Sequence, residues 1–433
     1  MLHISSARTA LICVGTLVSI AAVAAPVRAD VISDWNQIAL HAITLTPGAP
    51  PPPSARNLAM LHTAMYNAIS GAGSSPLYGG FAPATGGPTD PTAAAAQAAH
   101  DVMVAQYPGM AATFGAALAS QLAAMPSTAA KTNGIAYGAS AALFIRATRA
   151  ADNSAAPLAY TPSGLPGRWA PTGSQTVPSF SQYCIVTPWA MTSPSQFRPA
   201  PPPAYMSPAY TAALTEVRTL GGINSAARTT EQADIAMLWA AQGGTVTPPG
   251  MWNQIAEQAV AGQAIAGRPL SIQQNARLFA LLNIALADAA INAWEAKTVY
   301  DTVRPISVIR ATDPSWNSLV PTPQFQGYTS GHSTFSAAAA TILAGFFGSD
   351  LQNFTASNQD GSITRSFTSF SAAATEAGIS RIYGGIHFNF DNIAGQEAGT
   401  AIGNYVLNTT LVPTPSAAAL LALGGLVMAR RRR

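Results

Sequence analysis

Apolar residues recur at intervals of three and four along this chain, and they limit the fold to one built from helices. Leu58, Leu61 and Met65 fall on one helical face, behind Ser54 as a plausible N-cap. Helices are predicted over residues 54–69, 92–107, 110–125, 127–151, 208–220, 230–242, 252–261, 271–303, 333–347 and 371–407. We find no strand alternation and no fixed-period repeat. The sequence therefore predicts an all-α fold, a helical bundle with long irregular loops.

Two interruptions divide this pattern. Prolines and glycines break every run between residues 153 and 208, where Arg168 and Trp169 are candidate anchors. A second break is expected near Gly384 and Gly385, inside the last helical stretch. We therefore predict an N-terminal helical region with its Pro/Gly-rich excursion over residues 30–208, and a C-terminal helical region over residues 209–411.

The two ends of the chain have the layout of targeting segments. Residues 1–29 join a short polar start to an apolar run, as in a secretory signal peptide, with a signal-anchor helix as the alternative. Residues 412–433 combine a Pro-rich start, a short apolar stretch and four arginines, as in a membrane segment with a basic stop. The sequence thus predicts an exported protein, with Cys184 as the one cysteine outside the signal peptide.

Charge is scarce, which makes any cluster of cations informative. Charged residues make up 9% of the chain, against about 25% in a typical soluble domain, while hydrophobic residues make up 48%. The net charge of +3 comes from the ends, and the rest of the chain is slightly acidic. This composition excludes a disordered chain and gives no basic surface for nucleic acid.

The first cluster pairs two cations at the end of the longest helical stretch. Lys297 and Arg304 are seven residues apart, so a helix ended by Pro305 would project both from one face. The alternative is a solvated ion-pair ladder in which Asp301 neutralises them.

The second cluster opens the helix that follows. Ser330, Gly331 and His332 precede an apolar helical stretch, and the N-terminus of a helix is a favourable site for an oxyanion. His332 could exchange a proton with a bound anion there. The alternative is a histidine that only caps the helix.

The third cluster combines a cation with a histidine and a carboxylate. Arg381 is followed by His387, and Asp391 comes four residues later, where its carboxylate could hold Nδ1 of the imidazole and leave Nε2 free. The alternative for His387 is a satisfied core histidine. Three cations, a helix N-terminus and two histidines in so uncharged a chain together favour a site for a tetrahedral or trigonal oxyanion.

These three blocks resemble the signature of the superfamily of type 2 phosphatidic acid phosphatases and vanadium haloperoxidases. The match consists of Lys297-x6-Arg304-Pro305, Ser330-Gly331-His332 and Ser380-Arg381-x5-His387-x3-Asp391. Residues 55–69 also resemble a segment of bacterial vanadium haloperoxidases, and residues 412–433 resemble PEP-CTERM sorting tails, with Thr414 in place of the usual glutamate.

The resemblance implies roles for these residues. Lys297, Arg304, Ser330, Gly331 and Arg381 would bind the equatorial oxygens of vanadate or phosphate. His332 would be the acid/base, and Asp391 would orient His387. In a haloperoxidase His387 would be the ligand to vanadium, and in a phosphatase it would attack phosphorus. Asp288, which is nine residues before Lys297, is not expected to orient His332.

Two aromatic residues favour the peroxidase. Trp294 and Phe325 fall where fungal-type chloroperoxidases carry aromatic residues beside the halide, although aromatics that fill a bundle core would give the same pattern. We therefore expect an exported, vanadate-dependent haloperoxidase that uses hydrogen peroxide and halide, with a tail read by sorting and processing machinery. The alternatives are a phosphatase that hydrolyses phosphomonoesters through a phosphohistidine, and a non-catalytic surface protein.

Overall fold

The computed structural model describes residues 30–46, 50–71, 75, 77–262 and 269–411. The predicted signal peptide and sorting tail lie outside these residues. The helices are α1 (Val31–Leu45), α2 (Pro51–Ser70), α3 (Pro91–Gln106), α4 (Ala111–Ala123), α5 (Ala129–Thr148), α6 (Pro208–Gly221), α7 (Thr230–Leu238), α8 (Thr247–Gly262), α9 (Ile272–Tyr300), α10 (Pro305–Ile309), α11 (Gly331–Phe347), α12 (Phe370–Tyr383) and α13 (Asn389–Thr409). The predicted all-α class is confirmed.

Helix α9 forms the centre of the bundle. It begins in a capping box made by Ser271 and Gln274, and its residues from Asn275 to Lys297, except Arg277, are buried, with α2, α11 and α13 packed against the helix. Within the described residues, α9 is long and apolar enough to cross a membrane, yet nearly all of its most apolar window is buried inside the protein. The apolar core around it contains side chains from both predicted regions, and the boundary near residue 208 stays a prediction.

Close contact between α11 and α13 fixes the start of α11. A Cβ on Gly399 would lie 2.3 Å from the carbonyl oxygen of Thr334, and one on Gly395 would lie 2.8 Å from that of Ser330. Only glycine allows the two backbones to come this near. The turn that carries Ser330 is therefore held directly against α13.

The excursion over residues 153–208 is irregular, as predicted, and α9 holds it in place. The carboxylate of Asp288 accepts hydrogen bonds from the backbone N–H groups of Trp189, Ala190 and Met191. The backbone N–H of Trp169 donates to the carbonyl of Asp301 at 2.9 Å. Trp169 is therefore an anchor, as expected, and Asp288 serves the loop rather than His332.

Local predictions failed at three places. A β-hairpin of β1 (Leu351–Ser357) and β2 (Thr364–Ser369) was not anticipated, because each strand buries only two side chains. Helix α1 was not anticipated either. Helix α2 begins at Pro51, so Ser54 lies inside the helix and Pro50 is the N-cap. The break before α13 is confirmed, since Gly385 has φ +80° between α12 and α13.

Candidate functional site: a buried cluster of cations

The structure brings Lys297 and Arg304 together, but not on one helix. Helix α9 ends at Tyr300, Asp301 takes a left-handed conformation, and Arg304 is the N-cap of α10. The prediction of a shared helical face was therefore wrong. The ion-pair ladder is also wrong, because both cations are fully buried and Asp301 accepts hydrogen bonds from Tyr160 and Gln326.

All three N–H groups of the Lys297 ammonium hold the loop before α11. Nζ donates to the carbonyl of Gln326 at 3.0 Å, to that of Gly327 at 2.8 Å and to that of Thr329. The ammonium therefore fixes the backbone that leads into Ser330. Any ligand of Lys297 has to share a proton that one of these carbonyls now accepts.

Arg304 joins the same loop to the third block. Its Nε donates to the carbonyl of Phe325 at 2.7 Å, and Nη1 donates to the carbonyl of Ile386 at 2.7 Å. Nη1 also lies 3.0 Å from Nε2 of His387. Nη2 is buried without a partner, so one arm of the guanidinium is left for a ligand.

Ser330 and Gly331 form the N-terminus of α11. Ser330 is the N-cap and its Oγ accepts the backbone N–H of Ser333, so the alternative in which His332 only caps the helix is wrong. The backbone of Trp239 hydrogen-bonds the ring of His332. Nε2 of the ring is buried without a partner and can therefore exchange a proton with a ligand.

Arg381 is held by two of its three nitrogens. Nε donates to Oγ of Ser380 at 2.8 Å, and Nη2 donates to the carbonyl of Ala236 at 2.9 Å. Nη1 is buried without a partner, and the whole side chain is inaccessible to solvent. The third cation therefore also has one free donor.

The predicted contact between His387 and Asp391 is present, although the local geometry differs. His387 precedes α13, which begins at Asn389, so the two residues do not share a helical face. Oδ2 of Asp391 nevertheless lies 2.8 Å from Nδ1 of His387 and accepts the backbone N–H of Phe388. Nδ1 therefore donates to the carboxylate, and the Nε2 lone pair faces Arg304.

Burial and mutual repulsion make these groups weak bases. Burial lowers the pKa of Arg304 and of Arg381 to about 9. Burial also lowers the pKa of Lys297, and the charge of Arg304 lowers it further. The pKa values of His332 and His387 fall for the same reasons, burial first and nearby cations second. A bound anion would reverse these shifts, because its charge favours the protonated forms.

The two aromatic residues pack on the cations. The ring centroids of Trp294 and Phe325 are 5.0 Å apart, and Nζ of Lys297 lies 5.7 and 5.3 Å from them. The guanidinium of Arg304 lies 4.9 Å from the centroid of Phe325. Both rings therefore stabilise the cations through cation–π contacts. Their predicted contact with halide stays a prediction.

The carboxyl end of α7 is a part of the site that sequence reasoning missed. It supplies backbone carbonyls, and because every residue has one, no sequence motif can mark them. The distance along the chain is also large, because Ala236 contacts a side chain 145 residues away.

Comparison with known proteins finds similar sequences for the part of the chain that carries most of the site. Residues 277–412 match the family model described as the VCPO second helical-bundle domain. An alignment of 163 residues to the vanadium chloroperoxidase of Curvularia inaequalis is 29% identical, and it covers 32% of this chain and 27% of that relative.

Solved structures extend the similarity over most of the chain. A bacterial vanadium-dependent iodoperoxidase is 27% identical, with a TM-score of 0.75, and the alignment covers 88% of this chain and 95% of that one. A bacterial vanadium-dependent chloroperoxidase shares the fold at 16% identity, with a TM-score of 0.70 over 85% of this chain and 95% of that one. The resemblance to vanadium haloperoxidases is thereby confirmed.

Proposed function

We propose that this protein is an exported vanadium-dependent haloperoxidase, which oxidises halide with hydrogen peroxide to hypohalous acid. One observation carries the proposal. Three of the buried nitrogens that have no partner among the described residues belong to the three clustered blocks: Nη2 of Arg304, Nη1 of Arg381 and Nε2 of His332. Buried donors are seldom left unpaired, so these are the natural contacts of an oxyanion.

Vanadate fits this donor set. Lys297, Arg304, Ser330, Gly331 and Arg381 would hold its oxygens, and Nε2 of His387 would bond the metal. Bound vanadate would act as a Lewis acid towards peroxide. The similarity to vanadium-dependent relatives supports this choice of anion.

The chain's own residues prepare the reaction. Asp391 accepts the Nδ1 proton of His387 and so directs the Nε2 lone pair into the site. His332 holds or releases a proton at Nε2. The buried cations concentrate positive charge on the ligand's oxygens, where low polarity strengthens each contact. The aromatic pair of Trp294 and Phe325 covers Lys297 and limits the access of water.

Phosphomonoester hydrolysis is the alternative, because phosphate has nearly the shape of vanadate. A paired assay on one purified sample separates the two. Bromide- or chloride-dependent halogenation of a dye is measured with peroxide and orthovanadate, and hydrolysis of p-nitrophenyl phosphate is measured without vanadate. Halogenation that His387→Ala abolishes supports the proposal, with His41→Ala as the control because His41 is an exposed histidine on α1. Hydrolysis inhibited by vanadate, without halogenation, would reject it.

Export is the second half of the proposal, and it rests on the sequence of residues 1–29 and 412–433. Expression of the full chain in a Gram-negative host, followed by fractionation and mass determination, tests it. We expect the protein outside the cytoplasm and without residues 1–29. A full-length protein in the cytoplasm would reject export, and the proposed oxidation of halide would not be affected by that result.

A further inference from the structure

The carboxyl end of helix α7 contacts two residues of the site at once. The carbonyl of Ala236, in the last turn, accepts Nη2 of Arg381 at 2.9 Å. The backbone of Trp239, the C-cap, hydrogen-bonds the ring of His332. The last carbonyls of a helix lack partners within it and form the negative end of its dipole. The position of this helix end therefore decides where both side chains point.

The side chain of Trp239 holds this helix end in place. Its indole N–H donates to Oε1 of Glu376 at 3.1 Å. The indole also stacks on Trp252, with 6.4 Å between ring centroids, and Trp252 donates to Oγ of Ser336 on α11. Ser336 is four residues after His332, so this contact braces the same helix one turn beyond the site.

Glu376 is in turn fixed by the β-hairpin. Nε of Arg365, on β2, lies 2.9 and 3.0 Å from the two carboxylate oxygens of Glu376. Nη2 of Arg365 also contacts Oε1 of the exposed Glu231 at 3.1 Å. The side chain of Glu376 is 14% exposed and that of Arg365 25%, so the ion pair is shielded from water more than a surface pair is.

We propose that Glu376 and Arg365 are positioning residues for the oxyanion site, which hold Trp239 and thereby set the carboxyl end of α7 against His332 and Arg381. Neither touches the ligand. Their role in catalysis rests on the proposed function, whereas their control of the His332 ring does not. In this arrangement the hairpin supports the site through Arg365, although its strands contribute little to the core.

The test uses Glu376→Gln and Arg365→Gln, which remove the ion pair, and Trp239→Phe, which removes the indole donor. The first readout is the ¹⁵N chemical shifts of the His332 ring and the Trp239 indole in the protein without vanadate. The second is the dissociation constant for orthovanadate. Both Gln variants are expected to move the His332 signals and to weaken vanadate binding about tenfold, because Arg381 loses its fixed carbonyl.

Asp152→Asn is the matched control. Asp152 is a buried carboxylate paired with Arg56 at 2.7 Å in the N-terminal half, so its loss destabilises the fold without touching α7. We expect a lower melting temperature with unchanged His332 signals and vanadate affinity. An equal loss of affinity in this control would overturn the proposal, since any destabilised variant would then behave alike.

Two further outcomes decide the inference. The double variant of Glu376→Gln with Trp239→Phe is expected to bind vanadate as strongly as the single variant with the lower affinity, because both changes act through Trp239. Losses of binding free energy that add up in the double variant would overturn the proposal. Unmoved His332 signals in both Gln variants would also overturn it. A wild-type protein that binds no vanadate would reject the proposed function, and the His332 signals would still test the positioning.

Discussion

Arg381 is a buried cation without a carboxylate partner among the described residues, and replacing it by methionine should have two opposite effects. The guanidinium is inaccessible to solvent, and its protein partners are the neutral Oγ of Ser380 and the carbonyl of Ala236. Methionine has no charge, and its unbranched side chain can fill the space of the aliphatic part of arginine. We expect Arg381→Met to stabilise the ligand-free protein and to weaken its binding of vanadate.

The size of the stabilisation follows from the pKa of Arg381. Burial lowers this pKa from the usual arginine value to about 9, and at about 1.4 kcal/mol per pKa unit the charged form costs roughly 5 kcal/mol in the folded protein. Methionine leaves the carbonyl of Ala236 without a donor, which costs about 1–3 kcal/mol. The unfolding free energy should therefore rise by roughly 2–4 kcal/mol.

The loss of affinity follows from the single free donor. Only Nη1 is unpartnered, so a ligand loses one charge-assisted hydrogen bond, which contributes about 1.5–3 kcal/mol. That corresponds to roughly 10- to 150-fold weaker binding. Urea unfolding without vanadate measures the first quantity, and equilibrium titration with orthovanadate measures the second.

Arg149→Met is the control for this pair of measurements. Arg149 is also a buried arginine, but its Nε lies 3.2 Å from the carboxylate of Asp152. Removing it takes one of two cations from the buried carboxylate of Asp152 and leaves the carbonyl of Thr187 without its donor, so the protein should lose about 1–3 kcal/mol of stability. Our account of Arg381 is refuted if its methionine variant is destabilised as strongly as this control, or if vanadate affinity stays within twofold of wild type.

Three further predictions concern the core, the helix contact and the aromatic pair. Burial lowers the pKa of His62 to about 3 in the folded protein, against 6.5 in the unfolded chain. The stability that the neutral ring contributes is therefore fully present above pH 6.5. Protonation of His62 should lower the free energy of unfolding by about 1.4 kcal/mol per pH unit below that, so urea titrations of His62→Gln should give a pH slope smaller by this amount. Gly399→Ala should lower the melting temperature and vanadate affinity together, whereas Gly115→Ala, with open space around it, should stabilise by about 0.5–1 kcal/mol. Phe325→Ala should weaken vanadate binding severalfold in the same titration, because two cations lose a ring contact, and unchanged affinity would contradict this.

Helix periodicity could be predicted from the sequence because the core needs an apolar face on each helix. The hairpin escaped because Phe354, Ala356 and Phe367 are nearly its whole buried set, too few for a visible alternation. The start of α2 was misplaced because proline fits the first turn of a helix as well as it fits a linker.

The members of the site could be predicted, but not how the chain brings them together. Lys297 and Arg304 meet through the turn after α9, where Asp301 adopts a left-handed conformation that the helical extrapolation did not foresee. The contact of Asp391 with His387 was foreseen, since four residues of separation keep two side chains close in several geometries.

The groups that carry the charge and the protons of the site follow from the sequence alone: three cations, two histidines and one carboxylate in a chain of which only 9% is charged. Their protonation states depend on the fold, because a pKa depends on burial and on neighbours that are far away along the chain. The fold placed Arg381 against a carbonyl 145 residues earlier and left its remaining donor unpaired. Residue identity supplies the chemistry, and long-range packing supplies the solvent exclusion that makes the cluster a binding site.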